Sequence, residues 1–277
     1  MSDPAAEPAS PAAVVPAEGR GVLHLFLTVD HAAVPHLPPG AGKDLAGVLE
    51  RWQERTQLHV FSALGHKADV MLMAVDPDLT VLRALQTDVQ ACEAAPALEL
   101  TWSYLSLTEA GEYVTTGEQH RAYLQSKGVE GDDLERQVTQ FEERMATYTQ
   151  NKLHPQMPEW EVACFYPMSH RREHPDNWYG LDFEERKRLM HDHGRTGRGY
   201  TGRVLQLVSG STGLDEWEWG VTLFAHDVGD LKEIVYTMRY DEASVRYAEF
   251  GDFVVGLRRS PTELVTELGL DRAGRVS

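Results

Sequence analysis

Apolar and polar residues alternate along GVLHLFLTVD from Gly21, and that two-residue period predicts a first strand. Leu45, Val48, Leu49 and Trp52 then recur at three- and four-residue intervals, which predicts a helix over residues 44–57. Residues 58–64 read as a second strand. DVMLMAVDPDLTVLRALQ predicts a buried strand on Val70, Leu72 and Ala74, a break at Asp76-Pro77, and a helix on Leu79, Leu82 and Leu85. The same order returns in WGVTLFAHDVGDLKEIVYTMR, with a strand on Val221, Leu223 and Ala225, a break at Asp227, and a helix on Leu231, Ile234 and Val235. The flanking segments SALGHKAD and SGSTGLDEWEW correspond as well. This repeat predicts an α+β chain of two ferredoxin-like halves, with antiparallel strands and helices on one face.

Residues 98–107 read as the strand that closes the first half. From residue 108 to 153 the pattern is helical and charged, with Leu134, Val138, Phe141, Met145 and Tyr148 on one face, and forms a connection between halves. His154-Pro155 and Pro158 end it. Residues 203–209 and 217–225 read as a hairpin, residues 245–257 as a last strand, and Ser260-Pro261 with Glu263 as the start of a short helix. The expected organisation is a disordered Ala/Pro-rich tail at 1–20, an N-terminal half with its helical connection at 21–153, and a C-terminal half at 154–277 that carries the site.

Composition narrows the setting. The chain has 277 residues, 42% of them hydrophobic and 25% charged, as in a globular protein. No apolar run approaches the roughly 20 residues of a membrane span, and no basic start precedes an apolar core as in a secretory signal. Cys92 and Cys164 lie far apart, so neither a disulfide framework nor a zinc site is expected, and a reducing cytoplasm fits. A net charge of −17 argues against nucleic acid as a partner. Against that acidity stands a basic island of Arg171, Arg172, Arg186, Lys187, Arg188, Arg195, Arg198 and Arg203, which reads either as an anion receptor or as a solvated face.

Candidate chemistry concentrates in WEVACFYPMSHRREHPDNWYGLDFEERKRLMHDHGRTGRGYTGRVLQ, residues 160–206. A strand, a polar loop and a helix follow one another. Asp182 caps the helix, Glu185 completes a capping box, and Gly194 stops it. Leu189, Met190 and His193 share its apolar side, and His191 turns elsewhere. His193 reads either as a helix-end histidine bonding the last carbonyls or as an axial ligand to haem iron. Zinc lacks a second and third ligand at suitable spacing. Tyr166 is either a core tyrosine or a functional phenol. Its neighbours Pro167, Met168, Ser169, His170, Arg171 and Arg172 bring the hydroxyls and cations that a propionate-bearing porphyrin needs.

CFYPMSHRR, DNWYGLDFEERKRLMHDHGRTGRGYTGRVLQ, GSTGLDEWEWGVTLFAHD and MRYDEASVRYAEFG resemble the coproheme decarboxylase branch of the chlorite dismutase-like family. The similarity spans residues 160–256, whereas the first half shares only the strand-helix pattern. The resemblance implies a ring-shaped homopentamer of two-half, barrel-like subunits, with the porphyrin in the C-terminal half. By that resemblance His193 matches the proximal iron ligand and Tyr166 the tyrosine that carries a radical. The implied reaction is hydrogen-peroxide-dependent decarboxylation of two propionates of iron-coproporphyrin III, giving haem b. Residues 166–170 match a propionate-contacting loop, Gln206 a distal glutamine, and Ser244 a serine that holds another propionate. A transient contact with the iron-inserting chelatase stays open.

Three departures from the family pattern bear on substrate contacts. His170 stands where lysine is usual, so its charge would depend on pH near neutrality. Lys152 stands where an upstream arginine binds a propionate, without the bidentate fork. His154 is close enough in sequence to be an alternative distal group. Two rival functions remain: chlorite dismutation on haem b, which relies on a distal arginine where this chain has Gln206, and a haem carrier or sensor that would keep His193 but not need Tyr166.

Overall fold

The computed structural model describes residues 12–274. The first half runs β1 (Gly21–Val29), α1 (Ala41–Gln53), β2 (Gln57–Leu64), β3 (Val70–Asp76), α2 (Leu79–Ala91) and β4 (Leu98–Thr108). Two helices connect it to the second, α3 (Gly117–Ser126) and α4 (Gly131–Leu153). The second half repeats the pattern with β5 (Val162–His170), α5 (Phe183–Arg198), β6 (Val204–Gly210), β7 (Trp219–Ala225) and α6 (Val228–Met238). It then departs from it with α7 (Glu242–Tyr247) and β8 (Ala248–Phe250) before β9 (Val254–Arg258) and α8 (Pro261–Glu267). Among the described residues no helix is long and apolar enough to cross a membrane.

Within each half the strand order is that of a ferredoxin-like sheet: β4-β1-β3-β2 in the first and β9-β5-β7-β6 in the second, all antiparallel. The two sheets join at β2–β9 and at β4–β6, so the eight strands close into one barrel, with β8 appended to β5. Closure removes free sheet edges except where pairing is short. The β4–β6 seam pairs only Leu107 with Gly210 and Thr108 with Ser209. Side chains extend it. Ser106 and Ser209 share a 2.7 Å hydrogen bond, Tyr104 bonds Ser211, and the Leu105 amide donates to Asp215 at 3.0 Å.

The barrel interior is filled from both halves by Phe26, Phe61, Met71, Tyr104, Phe165 and Phe224. The halves therefore share a core and are not separate domains. Gly220 lies where a Cβ would fall 2.8 Å from the Tyr104 ring, so the interior admits no side chain there. His24 is fully buried inside, its Nε2 3.0 Å from the Thr222 hydroxyl and its Nδ1 without a partner. On the outside, α1 and α2 cover the first sheet and α6 covers the second. With the core on one face and helices on the other, strands such as β1 are buried on both faces, which blurs the alternation that a half-exposed strand shows.

Several expected boundaries shift. Residues 245–257 hold the end of α7, then β8 and β9, instead of one strand, because Asp241 caps a helical turn through its bond from the Ser244 amide. The C-terminal α8 forms its capping box at Ser260 and Glu263 but packs on the first half, where Leu264, Val265 and Leu268 join the core beneath α1. Of the expected tail, residues 1–11 lie outside the described residues. Residues 12–20 are placed, with the Val14 amide donating to Asp78 and the Leu79 amide to the Val14 carbonyl, both at 2.9 Å.

Candidate functional site

The site builds on the outer face of the second sheet. Phe165 points into the barrel, so the alternation along β5 sends Cys164, Tyr166, Met168 and His170 outward. Register carries the same face across the sheet: Tyr166 pairs with Val221 and Val221 with Val208, while Cys164 pairs with Leu223 and Leu223 with Gln206. Gln206 therefore shares a face with Tyr166. Pro167 and Ser169 have the opposite parity, so the five side chains of 166–170 divide between two faces and do not form one contact surface. The Ser169 hydroxyl accepts the Glu218 amide at 3.1 Å.

Tyr166 is 8% exposed and stacks on Phe253 at 4.3 Å, with Phe250 edge-on at 5.8 Å. Its hydroxyl makes no hydrogen bond among the described residues. Burial pushes its phenol well above the ordinary range, with the Cys164 thiol adding in the same direction. Tyr166 thus holds its proton at every ordinary pH. Cys164 is an inert buried thiol, pushed up to about 12 by burial.

Helix α5 continues past the expected stop at Gly194 to Arg198, with Gly199 as its cap. The Asp182 carboxylate accepts the Glu185 amide as expected, but Glu185 itself turns to Arg188 and leaves the capping box half made. Past Gly194 the helix packs closely on the sheet and α6 at Gly197, where a Cβ would lie 3.1 Å from Met238 and 3.2 Å from Gln206 Nε2. His193 is one turn earlier on the same side. It is therefore not at a helix end, and bonding to terminal carbonyls does not explain it.

Instead His193 Nδ1 lies 3.0 Å from Asp241 Oδ2. A carboxylate only accepts, so Nδ1 carries the proton and Nε2 presents a lone pair. The imidazole remains 30% exposed while Asp241 is 10% exposed. Asp241 is fixed in turn by the Ser244 amide at 2.9 Å and the Ser244 hydroxyl at 3.2 Å. Burial pushes the Asp241 carboxyl up, but His193 and the Ser244 donors outweigh it and hold the group below the usual carboxylate range. Ser244, expected to hold a propionate, commits its hydroxyl proton to Asp241. A histidine oriented by a carboxylate through its second nitrogen is the usual arrangement behind a metal-ligating imidazole.

A second buried carboxylate organises the loop after β5. Glu218 is 5% exposed, accepts the His170 amide at 2.9 Å, and pairs with Arg172. Burial pushes its carboxyl up, yet the His170 amide, the Tyr179 hydroxyl and Arg172 together hold it below the ordinary range. His170 is sandwiched flat against Trp178 at 4.1 Å and edge-on to Trp219 at 5.0 Å. Its Nδ1 is buried without a partner. Burial lowers its pKa to about 4, against the pull of Glu218 and with a further push from nearby His193. The expectation that His170 changes charge near neutrality is corrected: in this environment it is neutral there.

The basic island resolves mostly into ion pairs. Arg172 meets Glu218, Arg188 meets Glu185 and Glu242, Arg195 meets Asp192, and Arg203 meets Asp230 and Glu233. Arg186 bonds Tyr113 and the Leu181 carbonyl, and Lys187 bonds Gln119. Much of the local positive charge is thereby cancelled. Lys152, at the end of α4, places its ammonium over Tyr148 and is joined to Tyr166, His170 or His193 by no described contact. His154 follows as the α4 cap.

The residues present fit an iron porphyrin. His193 offers an oriented Nε2, His170 a buried Nδ1 without a partner, and Tyr166 a hydroxyl that no described residue bonds. The closed double ferredoxin-like barrel with this site on its second half defines a class of protein. The chlorite dismutase family model matches residues 40–259, and the chain belongs to that family. Among curated relatives, a coproheme decarboxylase of Oceanobacillus iheyensis is 38% identical over 228 residues, 80% of this chain and 83% of that protein. A longer protein of Haloarcula marismortui is 40% identical over 216 residues, 78% of this chain but 30% of its own length. A solved structure described as a novel heme-binding protein from Thermus thermophilus is 34% identical with a TM-score of 0.76, covering 91% of this chain and 96% of that one.

Asp241 and Glu218 were missed from sequence. Asp241 carried a signal, an Asp-Glu pair three residues ahead of Ser244 in the pattern of a helix start. Glu218 carried none, since it lies between two tryptophans in a hairpin strand where alternation suggests an exposed position.

Proposed function

We propose that this chain is a coproheme decarboxylase, converting two propionates of iron-coproporphyrin III to vinyl groups with hydrogen peroxide and so producing haem b. The observation that carries the reading is a carboxylate-oriented histidine on α5, which packs on Gln206, together with a buried phenol on the same sheet face as Gln206. The relative from Oceanobacillus iheyensis supports it. His193 would hold the iron through Nε2, and Asp241 keeps its Nδ1 protonated and its ring fixed. Bound iron-porphyrin and peroxide would supply the oxidising power.

Tyr166 would be the hydrogen carrier. Its high phenol pKa and apolar walls keep the proton on the hydroxyl until an electron leaves, so proton and electron go together. The resulting phenoxyl takes a hydrogen atom from a propionate side chain. For each propionate, carbon dioxide departs, two electrons and one proton are lost, and one peroxide becomes two waters. The neutral His170 would offer a hydrogen bond instead of a charge to a propionate. Gln206, uncharged on the same face, favours this reaction over chlorite dismutation. The same reading brings with it a homopentameric ring and a cytoplasmic setting.

The test is to load apo-protein with iron-coproporphyrin III, titrate hydrogen peroxide, and weigh the porphyrin. Stepwise loss of two carboxyl groups is expected in wild type, with Tyr166→Phe at least 100-fold slower. Binding followed only by bleaching in both proteins would replace the enzyme with a haem carrier.

A further inference from the structure

The C-terminal end of α6 and the turn that follows carry two exposed phenols that neither the core nor the proposed reaction uses. Tyr236 and Tyr240 are 51% and 64% exposed, with ring centroids 5.5 Å apart. The Tyr240 hydroxyl donates to the Tyr236 hydroxyl at 3.2 Å. Arg239 donates to the Tyr240 hydroxyl at 3.2 Å, and its guanidinium carbon lies 4.2 and 5.1 Å from the two ring centres. Among the described residues no other two phenols are in hydrogen-bond contact. Tyr104 and Tyr200 are buried and bonded to Ser211 and Thr237.

The position of the pair matters as much as its geometry. Tyr240 is followed directly by Asp241, whose Oδ2 is 3.0 Å from His193 Nδ1. One residue of backbone and one hydrogen bond therefore connect an exposed phenol to the imidazole that would hold the iron. The Tyr240 hydroxyl already shares its proton with Tyr236, and both hydroxyls are exposed enough for water to take a proton as an electron leaves. Tyr166, by contrast, is walled off by Phe250 and Phe253.

We propose that Tyr236 and Tyr240 form a surface exit for one-electron oxidising equivalents, able to oxidise small phenolic reductants and otherwise ending in a covalent link between the two rings. The inference rests on the iron-porphyrin and peroxide chemistry proposed above. In the link-forming step each phenol loses one electron and one proton. The two radicals join through ring carbons beside the hydroxyls, two ring C–H bonds break, and both hydroxyls are restored. The net loss of two protons and two electrons reduces one hydrogen peroxide to two waters. Once both propionates are gone, this exit carries away equivalents that would otherwise damage the site.

The experiment treats protein loaded with iron-coproporphyrin III with excess hydrogen peroxide, then reads two outputs. Porphyrin mass reports decarboxylation. Peptide mapping and dityrosine fluorescence report the link, as a species two hydrogens lighter joining Tyr236 to Tyr240. Expected are the link in the iron-loaded sample, its loss with metal-free coproporphyrin, and its suppression by a small phenol such as guaiacol. Tyr240→Phe should abolish the link and at least double the rate of porphyrin bleaching after decarboxylation, leaving the two decarboxylations unchanged. An intact pair with other tyrosines oxidised, or equal linking without iron, would overturn the inference. Linking without decarboxylation would sink the proposed reaction and leave this exit standing.

Discussion

Three histidines are held neutral by burial, and this should make the fold sensitive to mild acid. His24 sits at a pKa of about 3, lowered by desolvation alone inside the barrel. His59, lowered to about 4, is desolvated beside Arg258, with Glu159 opposing. His170 is lowered to about 4 between the two tryptophans. All three start from an unfolded value of 6.5. For a histidine depressed in the folded state, stability is full above the unfolded pKa and is lost as pH falls toward the folded one. Between pH of about 7.5 and about 5.5 the unfolded chain gains a proton at each position and the folded chain does not, which costs about 1.3 kcal/mol per histidine and about 4 kcal/mol in all. That is a large share of the roughly 5–15 kcal/mol that holds a domain together. The depressed carboxylates Glu218 and Asp241 add their own loss only at lower pH, as they become protonated. Urea unfolding of the apo-protein, followed by tryptophan fluorescence across this window, measures the loss directly, with a constant slope confirming a common unfolded state. His24→Gln should retain a bond to Thr222 and reduce the pH-dependent loss by about a third of the total, roughly 1.3 kcal/mol. A stability change under about 1 kcal/mol across the window would refute the reasoning, because it would mean that protons reach these imidazoles in the folded protein.

Two further outcomes follow from the carboxylates that order the site. Asp241→Ala should destabilise the apo-protein by about 1–2 kcal/mol through loss of the α7 cap, while Asp241→Asn, itself a good cap, stays within about 0.5 kcal/mol. In both variants the nitrogen chemical shifts of His193 should move from an Nδ1-protonated form toward a tautomer mixture, and unchanged shifts would mean the His193–Asp241 bond does not set the tautomer. Glu218→Gln should cost about 1–2 kcal/mol by weakening the charged bond to the His170 amide. Hydrogen exchange at that amide should accelerate at least tenfold, and unchanged exchange would remove Glu218 as the anchor of the loop.

Much of the architecture was legible in the chain because it is written in neighbours three, four or two residues apart. The apolar spacing on Leu79, Leu82 and Leu85, and again on Leu231, Ile234 and Val235, marked α2 and α6. The aspartates Asp78 and Asp227 that begin them act as caps. The repeat of strand and helix order disclosed the two halves. His193 and Tyr166 stood out by residue type and setting, and the structure puts them on elements facing the same side of the second sheet.

What the tertiary structure decided concerns partners that no local period encodes. Asp241 lies 48 residues from His193, and Glu218 lies 48 from His170. Gly194 reads as the helix stop, yet α5 continues to Arg198, with Gly197 in close approach to Met238 and Gln206. Barrel closure at the two seams likewise follows from packing Phe26 and Phe61 against Phe165 and Phe224 across the halves. The sequence alone determined most of the strands and helices, though not the split of residues 245–257 or the full length of α5, since periodicity is a property of adjacent residues. Which segments meet, which charges cancel, and which histidines lose their protons depend on burial, and burial exists only once the chain has closed on itself.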